Sequence, residues 1–337
     1  MKKLSLLLVF VLLAILSACS DKNENALSGD KGVAAANEST LDFDKTFTIL
    51  VHTTAGGPTD LMARELAKAA EEVTGGTFIV ENRPGGSGAV QMAEIANAKA
   101  DGYTLGAMTP SQIGLIEGTL KEQYNLDNFS WISQGQVDPY VIAVHKDSPF
   151  NTLEELVNYA KEHPGKLTVG GYGAIGSGHN VAWNIFAESA GIDTVWTAYE
   201  STGDAVTAIL GNHIDIANSN PGQVSQYYES GDVKILGVMS EERLEDLPDV
   251  PTYKEAGYEV DTSWAQFRGV YGPSGIDENT LQQLSEVFEK AIATEGYQTY
   301  LKNSQMLSGD MDYKEFTDYI NTQSEIMVNW YEKLGVE

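Results

Sequence analysis

The chain has 337 residues, a formal net charge of −27 at pH 7 and a single cysteine. So acidic a balance argues strongly against nucleic acid as a partner, because phosphates bind to basic surfaces. One cysteine excludes an internal disulfide, and the length suggests about two domains at roughly 150 residues each.

The first 18 residues have the pattern of a bacterial lipoprotein signal peptide. Lys2 and Lys3 precede an apolar run over residues 4–16, which is too short for a bilayer that needs about 20 apolar residues. The run ends in Leu-Ser-Ala-Cys, which resembles a lipobox and implies cleavage before Cys19 and a diacylglycerol on its sulfur. An ordinary buried cysteine is the alternative. We therefore expect an extracytoplasmic protein, lipid-anchored to the bacterial membrane, with residues 19–44 as a polar, flexible tether.

Strand-like and helix-like segments alternate after the tether. The pattern predicts strands at residues 47–51, 77–80 and 103–108, with helices at residues 59–73 and 87–99 between them. This order indicates a parallel sheet with helices on its faces. A glycine-rich turn, Ala-Gly-Gly-Pro-Thr-Asp at residues 55–60, connects the first strand to the first helix.

A second series of strands and helices begins near Tyr140. A second glycine-rich turn, residues 170–179, lies within it and again connects a strand to a helix. Thr152 and Glu155 have the spacing of a capping box, which predicts a helix that starts there and ends at His163. The other predicted elements are strands at 141–144, 167–169, 194–198, 214–217 and 233–238, and helices at 204–210, 222–228, 277–294 and 313–334. The sequence thus predicts an α/β protein with two lobes, each a mainly parallel sheet flanked by helices.

Both glycine-rich turns favour an anion site. A helix N-terminus leaves backbone N–H groups without partners at the positive end of the helix dipole, so it can bind an anion without a basic side chain. Ligands of parallel sheets bind at the carboxyl ends of the strands, and both turns should lie on that edge. Two such turns, far apart in the chain, suggest that two lobes grip one anion.

Other functions for these turns have weaker support. The glycines at 171, 173 and 176 match a dinucleotide-binding spacing, but no catalytic acid–base set follows them. Residues 85–89 fall one residue short of a nucleophile elbow, and Ser177 and His179 do not by their spacing ensure a nucleophile–base pair. The five histidines lack metal-ligand spacing. We predict no catalysis, cofactor or metal, with a secreted hydrolase acting through Ser177 or Ser87 as an alternative.

Five side chains have both a structural and a ligand-binding interpretation. Asp60 can complement the helix dipole, or it can bind a ligand ammonium or hydroxyl or position a water. Arg83 can brace its loop or bind a carboxylate. His179 can cap a helix or contact the ligand. Tyr199 and Trp264 can line a cleft or lie in the core.

Three motifs in order resemble the substrate-binding lipoproteins of tripartite tricarboxylate transporters, the TctC or Bug family. The first covers residues 51–60. The second is Val-Glu-Asn-Arg-Pro-Gly-Gly-Ser-Gly at 80–88, followed by Asp-Gly-Tyr-Thr-Leu at 101–105. The third is Leu-Pro-Asp-Val-Pro-Thr at 247–252, followed by Glu-Ala-Gly-Tyr at 255–258 and by Trp264. The resemblance covers nearly everything from Phe47 to Val336.

The resemblance implies a type II Venus flytrap of the periplasmic-binding-protein kind, with lobe 1 at 45–139 and 260–337 and lobe 2 at 140–259. It implies a monomeric receptor that captures a small carboxylate between the lobes and delivers it to the membrane subunits of a transporter. A ligand-presenting accessory protein of a sensor kinase is the alternative. Carried over by motif, the ligand-binding residues are Thr54, Ala55, Gly56, Gly57, Thr59, Asp60, Ile175, Gly176, Ser177, His179, Ser201 and Thr202.

The chain departs from the family pattern at two places. His52 and Thr53 stand where a proline and an aromatic residue are usual, and Glu200 stands where a lysine or a similar residue is usual. Both departures leave the identity of the ligand open.

Overall fold

A computed structural model describes residues 40–336 of the protein. The predicted signal peptide, Cys19 and residues 19–39 of the predicted tether lie outside the described residues. Within the described range, no helix combines the length and the apolar character that crossing a membrane requires.

The strands of the described chain form two sheets. In chain order they are β1 (Thr46–Val51), β2 (Thr77–Asn82), β3 (Thr104–Met108), β4 (Phe129–Asp138), β5 (Tyr140–His145), β6 (Thr168–Tyr172), β7 (Val195–Tyr199), β8 (Ile216–Ser219), β9 (Val233–Met239), β10 (Gln266–Pro273) and β11 (Leu307–Ser308). One sheet has the strand order β11-β4-β10-β3-β1-β2, and the other has the order β7-β6-β8-β5-β9. The chain passes from the first sheet to the second between β4 and β5 and returns between β9 and β10.

The helices flank these sheets. They are α1 (Pro58–Thr74), α2 (Ala89–Ala96), α3 (Pro110–Glu117), α4 (Leu153–Glu162), α5 (Gly178–Ala190), α6 (Thr202–Leu210), α7 (Pro221–Glu229), α8 (Glu278–Ile292), α9 (Glu295–Asn303) and α10 (Tyr313–Leu334). The predicted helices at 59–73, 204–210, 222–228, 277–294 and 313–334 are confirmed to within two residues at each end. The helix predicted at 87–99 is a short 3₁₀ turn, Gly86–Gly88, followed by the eight residues of α2.

The predicted α/β fold with two lobes is confirmed, and both sheets prove to be mixed. β1 pairs in parallel with β2 and β3, whereas β10 runs antiparallel to β3 and β4. In the second sheet β6 is parallel to β7 and β8, and β5 is antiparallel to β8 and β9. The strands β4, β5, β9 and β10 flank the two crossings between sheets. Because no helical crossover joins them to a neighbour in the same sheet, their direction is not forced to be parallel.

The start of α1 shows how local sequence places a helix N-terminus at the edge of a sheet. Gly57 occupies the N-cap position with an extended backbone, and Pro58 supplies the fixed backbone angle and the missing N–H that suit the first helical position. The helix buries Met62 and Leu66 on its apolar face and ends at Gly75, whose left-handed backbone satisfies the last turn. Its N-terminus therefore follows directly from the carboxyl end of β1.

Strands β4 and β10 were not predicted from the sequence. Each is nearly buried, yet polar residues interrupt its apolar pattern: Gln134, Gln136 and Asp138 in β4, and Arg268 in β10. Such residues are rare in a core unless they are hydrogen-bonded, so a reading based on apolar periodicity misses these strands. Together β4 and β10 place charged and polar groups at the crossings between the two sheets.

Candidate functional site

A cleft of about 670 Å³ lies where helix N-termini attached to both sheets meet. From the first sheet it is lined by the turn after β1, by the starts of α1 and α3, and by residues of β10. From the second sheet it is lined by the end of β6 and by the starts of α5, α6 and α7. The segment at residues 304–306, between α9 and β11, completes the lining.

Four of these helices begin with backbone N–H groups that have no partner. The amides of Thr59 in α1, His179 in α5, Thr202 and Gly203 in α6, and Gly222 in α7 find no hydrogen-bond acceptor among residues 40–336. All five residues line the cleft. Unpaired N–H groups at the positive ends of helices are suited to an anion, so the cleft has donors from both halves of the molecule.

The two glycine-rich turns are closed by side chains of the protein itself. The Gly56 amide donates to Asp60 Oδ2 at 2.8 Å, and the Gly176 amide donates to Asn180 Oδ1 at 3.0 Å. Each acceptor lies four residues after its glycine. The amides that remain unpaired are therefore those of the helix starts rather than those of these two glycines.

The Asp60 carboxylate is buried behind the first turn. It accepts hydrogen bonds from Gly56, from Arg64 Nε and Nη2 at 2.9 Å each, and from Asn82 Nδ2 at 2.9 Å. Burial alone raises the pKa of this carboxyl, but the hydrogen bonds from Arg64, Gly56 and Asn82 outweigh that effect and hold the pKa below its ordinary value. Asp60 thus stays ionised and holds the turn in shape.

Arg268 places a buried positive charge at the cleft. Its guanidinium forms an ion pair with Asp138, and its Nε donates to Thr59 Oγ1 at 3.3 Å. Asp138 also accepts a hydrogen bond from Gln136 Nε2 at 2.8 Å. Among the described residues that line the cleft, Arg268 is the one arginine or lysine. Its Nη2 has no hydrogen-bond acceptor within residues 40–336.

Two histidines of the cleft are neutral. His52 Nδ1 lies 3.4 Å from the Ala107 carbonyl and His179 Nδ1 lies 3.1 Å from the Asn218 carbonyl. A carbonyl only accepts, so each Nδ1 carries the proton and each Nε2 keeps a lone pair. Burial is the main cause that lowers the pKa of each ring to about 4, and the charge of Arg268 lowers it further.

Segments attached to opposite sheets touch beside the cleft. Asn220 Nδ2, at the start of α7, donates to the backbone oxygens of Asp138 and Pro139 at 3.1 and 3.0 Å. At Gly222, a Cβ atom would lie 2.6 Å from the Ser304 carbonyl oxygen. Any other residue at this position would force the two segments apart. The two halves are therefore in backbone contact at this edge of the cleft, which we call the rim.

The structure brings half of the predicted ligand-binding residues to the cleft. Those that line it are Thr54, Gly56, Thr59, His179, Ser201 and Thr202. Those that do not are Ala55, Gly57, Asp60, Ile175, Gly176 and Ser177. Ser177 caps α5 by accepting from the Asn180 amide, and its hydroxyl donates to the Tyr172 carbonyl. Gly176 lies against Tyr331 and Val336 at the end of α10.

Three of the residues with two interpretations take structural positions in this structure. Arg83 forms ion pairs with Glu81 and Glu94. Trp264 is fully buried, and its Nε1 donates to the Gly178 carbonyl at 3.0 Å, directly before His179. Tyr199 packs against an apolar cluster of the second sheet.

Sequence reasoning missed several cleft residues. The principal one is Arg268, together with its partner Asp138; others are Thr109, Ser111, Tyr172, Asn220, Gln223, Gln266 and Gln305. One signal could have pointed to Arg268, since it stands in the run Gln-Phe-Arg-Gly-Val-Tyr-Gly, where an arginine is the one charged residue of a strand-like segment. Its partner comes from a distant strand, which the sequence pattern does not reveal.

The fold and the site define a class: a two-lobed solute-binding protein with a ligand cleft between its halves. Comparison with known proteins agrees. The model of the tripartite tricarboxylate transporter family receptors, TctC, matches residues 62–336, and the chain belongs to this family. The chain is therefore an extracytoplasmic solute-binding receptor and not an enzyme.

Relatives of known sequence and structure show the extent of the similarity. A protein of Cupriavidus necator, "UPF0065 protein in gbd 5'region", is 29% identical over 289 residues, which cover 86% of this chain and 87% of that protein. A TctC solute-binding protein from Polaromonas, solved without ligand, has a TM-score of 0.76 at 25% identity and covers 86% of this chain and 98% of its own. The periplasmic binding protein BugD has a TM-score of 0.69 at 26% identity, with coverage of 87% and 98%.

Proposed function

We propose that this receptor captures a small carboxylate in the cleft and delivers it to the membrane subunits of a tripartite tricarboxylate-type transporter. The observation that carries the proposal is the convergence of unpaired amides from α1, α5 and α6 on one cleft that also contains Arg268. A carboxylate has two oxygens that accept several hydrogen bonds, and N–H groups at helix starts suit it in both charge and geometry.

The magnitudes favour hydrogen bonds over dipoles as the source of affinity. Micromolar binding requires about 8 kcal/mol. A helix terminus contributes only about 0.3–2 kcal/mol. A hydrogen bond to a charged group contributes roughly 1.5–3 kcal/mol. Four to six such bonds, in a cleft from which closure excludes water, are therefore sufficient after ordering costs of a few kcal/mol.

Capture couples to delivery through the two halves of the molecule. We place lobe 1 at residues 45–139 and 260–337 and lobe 2 at residues 140–259. A ligand that bonds to α1 on one side and to α5 and α6 on the other stabilises the closed arrangement by population shift. The closed monomer then presents the surface that the transporter recognises, and a diacylglycerol on Cys19 keeps the receptor at the membrane.

Calorimetry of the wild-type receptor with a panel of acetate, propionate, lactate, succinate, citrate and alanine tests the proposal. We expect micromolar binding of at least one member, and no heat with any of them would contradict it. Thr202→Pro supplies a sharper test because it deletes one amide donor at the first position of α6, where proline is tolerated. Ser201 before it is extended, as a residue before proline should be.

The matched control for this variant is Thr202→Ala, which removes the hydroxyl and keeps the amide. We expect Thr202→Pro to weaken binding about tenfold or more, the loss of one hydrogen bond to a charge, and to leave the unfolding transition nearly unchanged. Equal affinity of the two variants would show that this amide does not contact the ligand.

A further inference from the structure

The charged side chains that line the cleft include no cation that is free of a carboxylate partner within residues 40–336. Among the described residues, three charged residues line the cleft: Arg268, Asp138 and Glu200. Arg268 and Asp138 form a buried ion pair and neutralise each other. His52 and His179 add no charge, because burial keeps both rings neutral. The remaining charge is the negative one of Glu200.

Glu200 has no partner of its own. The side chain is exposed at the cleft and forms neither a hydrogen bond nor an ion pair with any residue in 40–336. It stands directly before Ser201, the N-cap of α6, and the unpaired amides of Thr202 and Gly203 follow. One short turn thus offers both donors for an anion and a carboxylate for a cation.

Further acceptors in the cleft lack donors. Gln305 Oε1 is buried and has no hydrogen-bond partner among the described residues. Its backbone has a φ of +53°, a left-handed conformation that is uncommon for a residue other than glycine. The Nε2 atoms of His52 and His179 also keep lone pairs, since their Nδ1 atoms face carbonyls. A ligand that carries only acceptors would leave these atoms unsatisfied, at a cost in free energy.

From this arrangement we infer that the ligand is a carboxylate that also carries an ammonium group, with Glu200 and Gln305 Oε1 on the ammonium and the helix amides on the carboxylate. The inference rests on the proposed function and names the class of its ligand. A dicarboxylate would bring a second negative charge to a cleft whose one arginine is already paired with Asp138. An ammonium group instead meets an unpaired carboxylate and unpaired acceptors.

Calorimetry of the full chain with ligands of matched shape tests the inference. β-Alanine is compared with propionate and succinate, 4-aminobutyrate with butyrate and glutarate, and alanine with lactate. Within at least one set, we expect the ammonium acid to bind about tenfold or more tighter than its plain, hydroxylated and dicarboxylate counterparts. Glu200→Gln should weaken the ammonium acid about three- to fivefold, the size of one exposed ion pair, and should not weaken the plain acid, because the variant removes a like charge from beside it.

Glu162→Gln is the matched control, because Glu162 is an exposed carboxylate at the end of α4 away from the cleft lining. It should change neither affinity. If in every set the ammonium acid binds no tighter than its plain, hydroxylated or dicarboxylate counterparts, the inference is overturned while carboxylate capture stands. If Glu200→Gln leaves the affinity of a bound ammonium acid unchanged, the role given to Glu200 is overturned. If no carboxylate binds, the proposed function itself fails.

Discussion

Arg268 in β10 forms a buried ion pair with Asp138 at the end of β4, so the charge that the cleft shows to a ligand depends on two strands that flank the crossings between lobes. The same arginine donates to Thr59 Oγ1 at the start of α1. It thereby connects the segments at the crossings to one of the helix starts that supply unpaired amides.

Removing one member of this pair should be costly. Arg268→Gln leaves the Asp138 carboxylate buried without its counter-charge, and we expect a loss of about 3–5 kcal/mol in the free energy of unfolding. The double variant Arg268→Gln, Asp138→Asn should recover much of that loss because neither charge remains. Urea unfolding of the wild type, of Arg268→Gln, of Asp138→Asn and of the double variant measures this coupling, and additive effects of the single changes would contradict it.

The glycine contact between halves should matter for ligand binding. In Gly222→Ala the new Cβ lies 2.6 Å from the Ser304 carbonyl oxygen, so the rim must open. We expect the closed form to lose about 1–3 kcal/mol, and calorimetry should show a corresponding loss of affinity. Gly296→Ala is a matched control, because Gly296 also occupies the second position of its helix and a Cβ atom there would have no neighbour within 4 Å. Similar affinities for the two variants would contradict the role of this contact.

The two neutral histidines should make stability depend on pH. Their folded pKa values are about 4, below the ordinary 6.5, so the unfolded chain binds protons first as the pH falls. Their contribution is fully present above pH 6.5 and is lost between pH 6.5 and 4. The loss should be roughly 2 kcal/mol per histidine between pH 6.5 and 5. Urea unfolding across this range measures it, and His179→Gln should reduce the slope; an unchanged slope would argue against a neutral buried ring.

Asp60 should stabilise the first glycine-rich turn, because its carboxylate accepts a hydrogen bond from the Gly56 amide. Asp60→Asn keeps the size of the side chain but removes the charge that accepts from Arg64 and from the Gly56 amide. We expect a loss of about 1–3 kcal/mol in the free energy of unfolding. Glu65→Gln changes a carboxylate of the same helix and is the control, since the one ion pair of Glu65 within residues 40–336 is a long one, 3.9 Å to Lys68. Thermal unfolding with equal midpoints for both variants would contradict this role.

The predicted lipid anchor depends on Cys19, which lies outside the described residues. Cys19→Ser removes the sulfur that would carry the diacylglycerol, and the receptor should move from the membrane fraction to the soluble fraction of the cell. Ser20→Ala is the neighbouring control and should stay with the membrane. A wild-type protein that is already soluble would contradict the anchor.

The sequence by itself determined the α/β class, most helices and the two turns that precede helices whose starts line the cleft. These features depend on local rules, namely apolar periodicity, glycine at left-handed positions and proline at a helix start, which operate over a few neighbouring residues. Strands such as β6 and β9 were predictable for the same reason.

Only the tertiary structure decided which groups meet. The amides of Gly56 and Gly176 are taken by Asp60 and Asn180, and the cleft amides at helix starts without an acceptor in residues 40–336 are those of Thr59, His179, Thr202, Gly203 and Gly222. Arg268 is paired with Asp138 across 130 residues of chain. Ion pairs and hydrogen bonds form between atoms a few ångströms apart, whatever the distance of their residues in sequence. Local sequence patterns could therefore locate the turns and helix starts at the cleft, but not which of its charges are paired and which of its amides stay free.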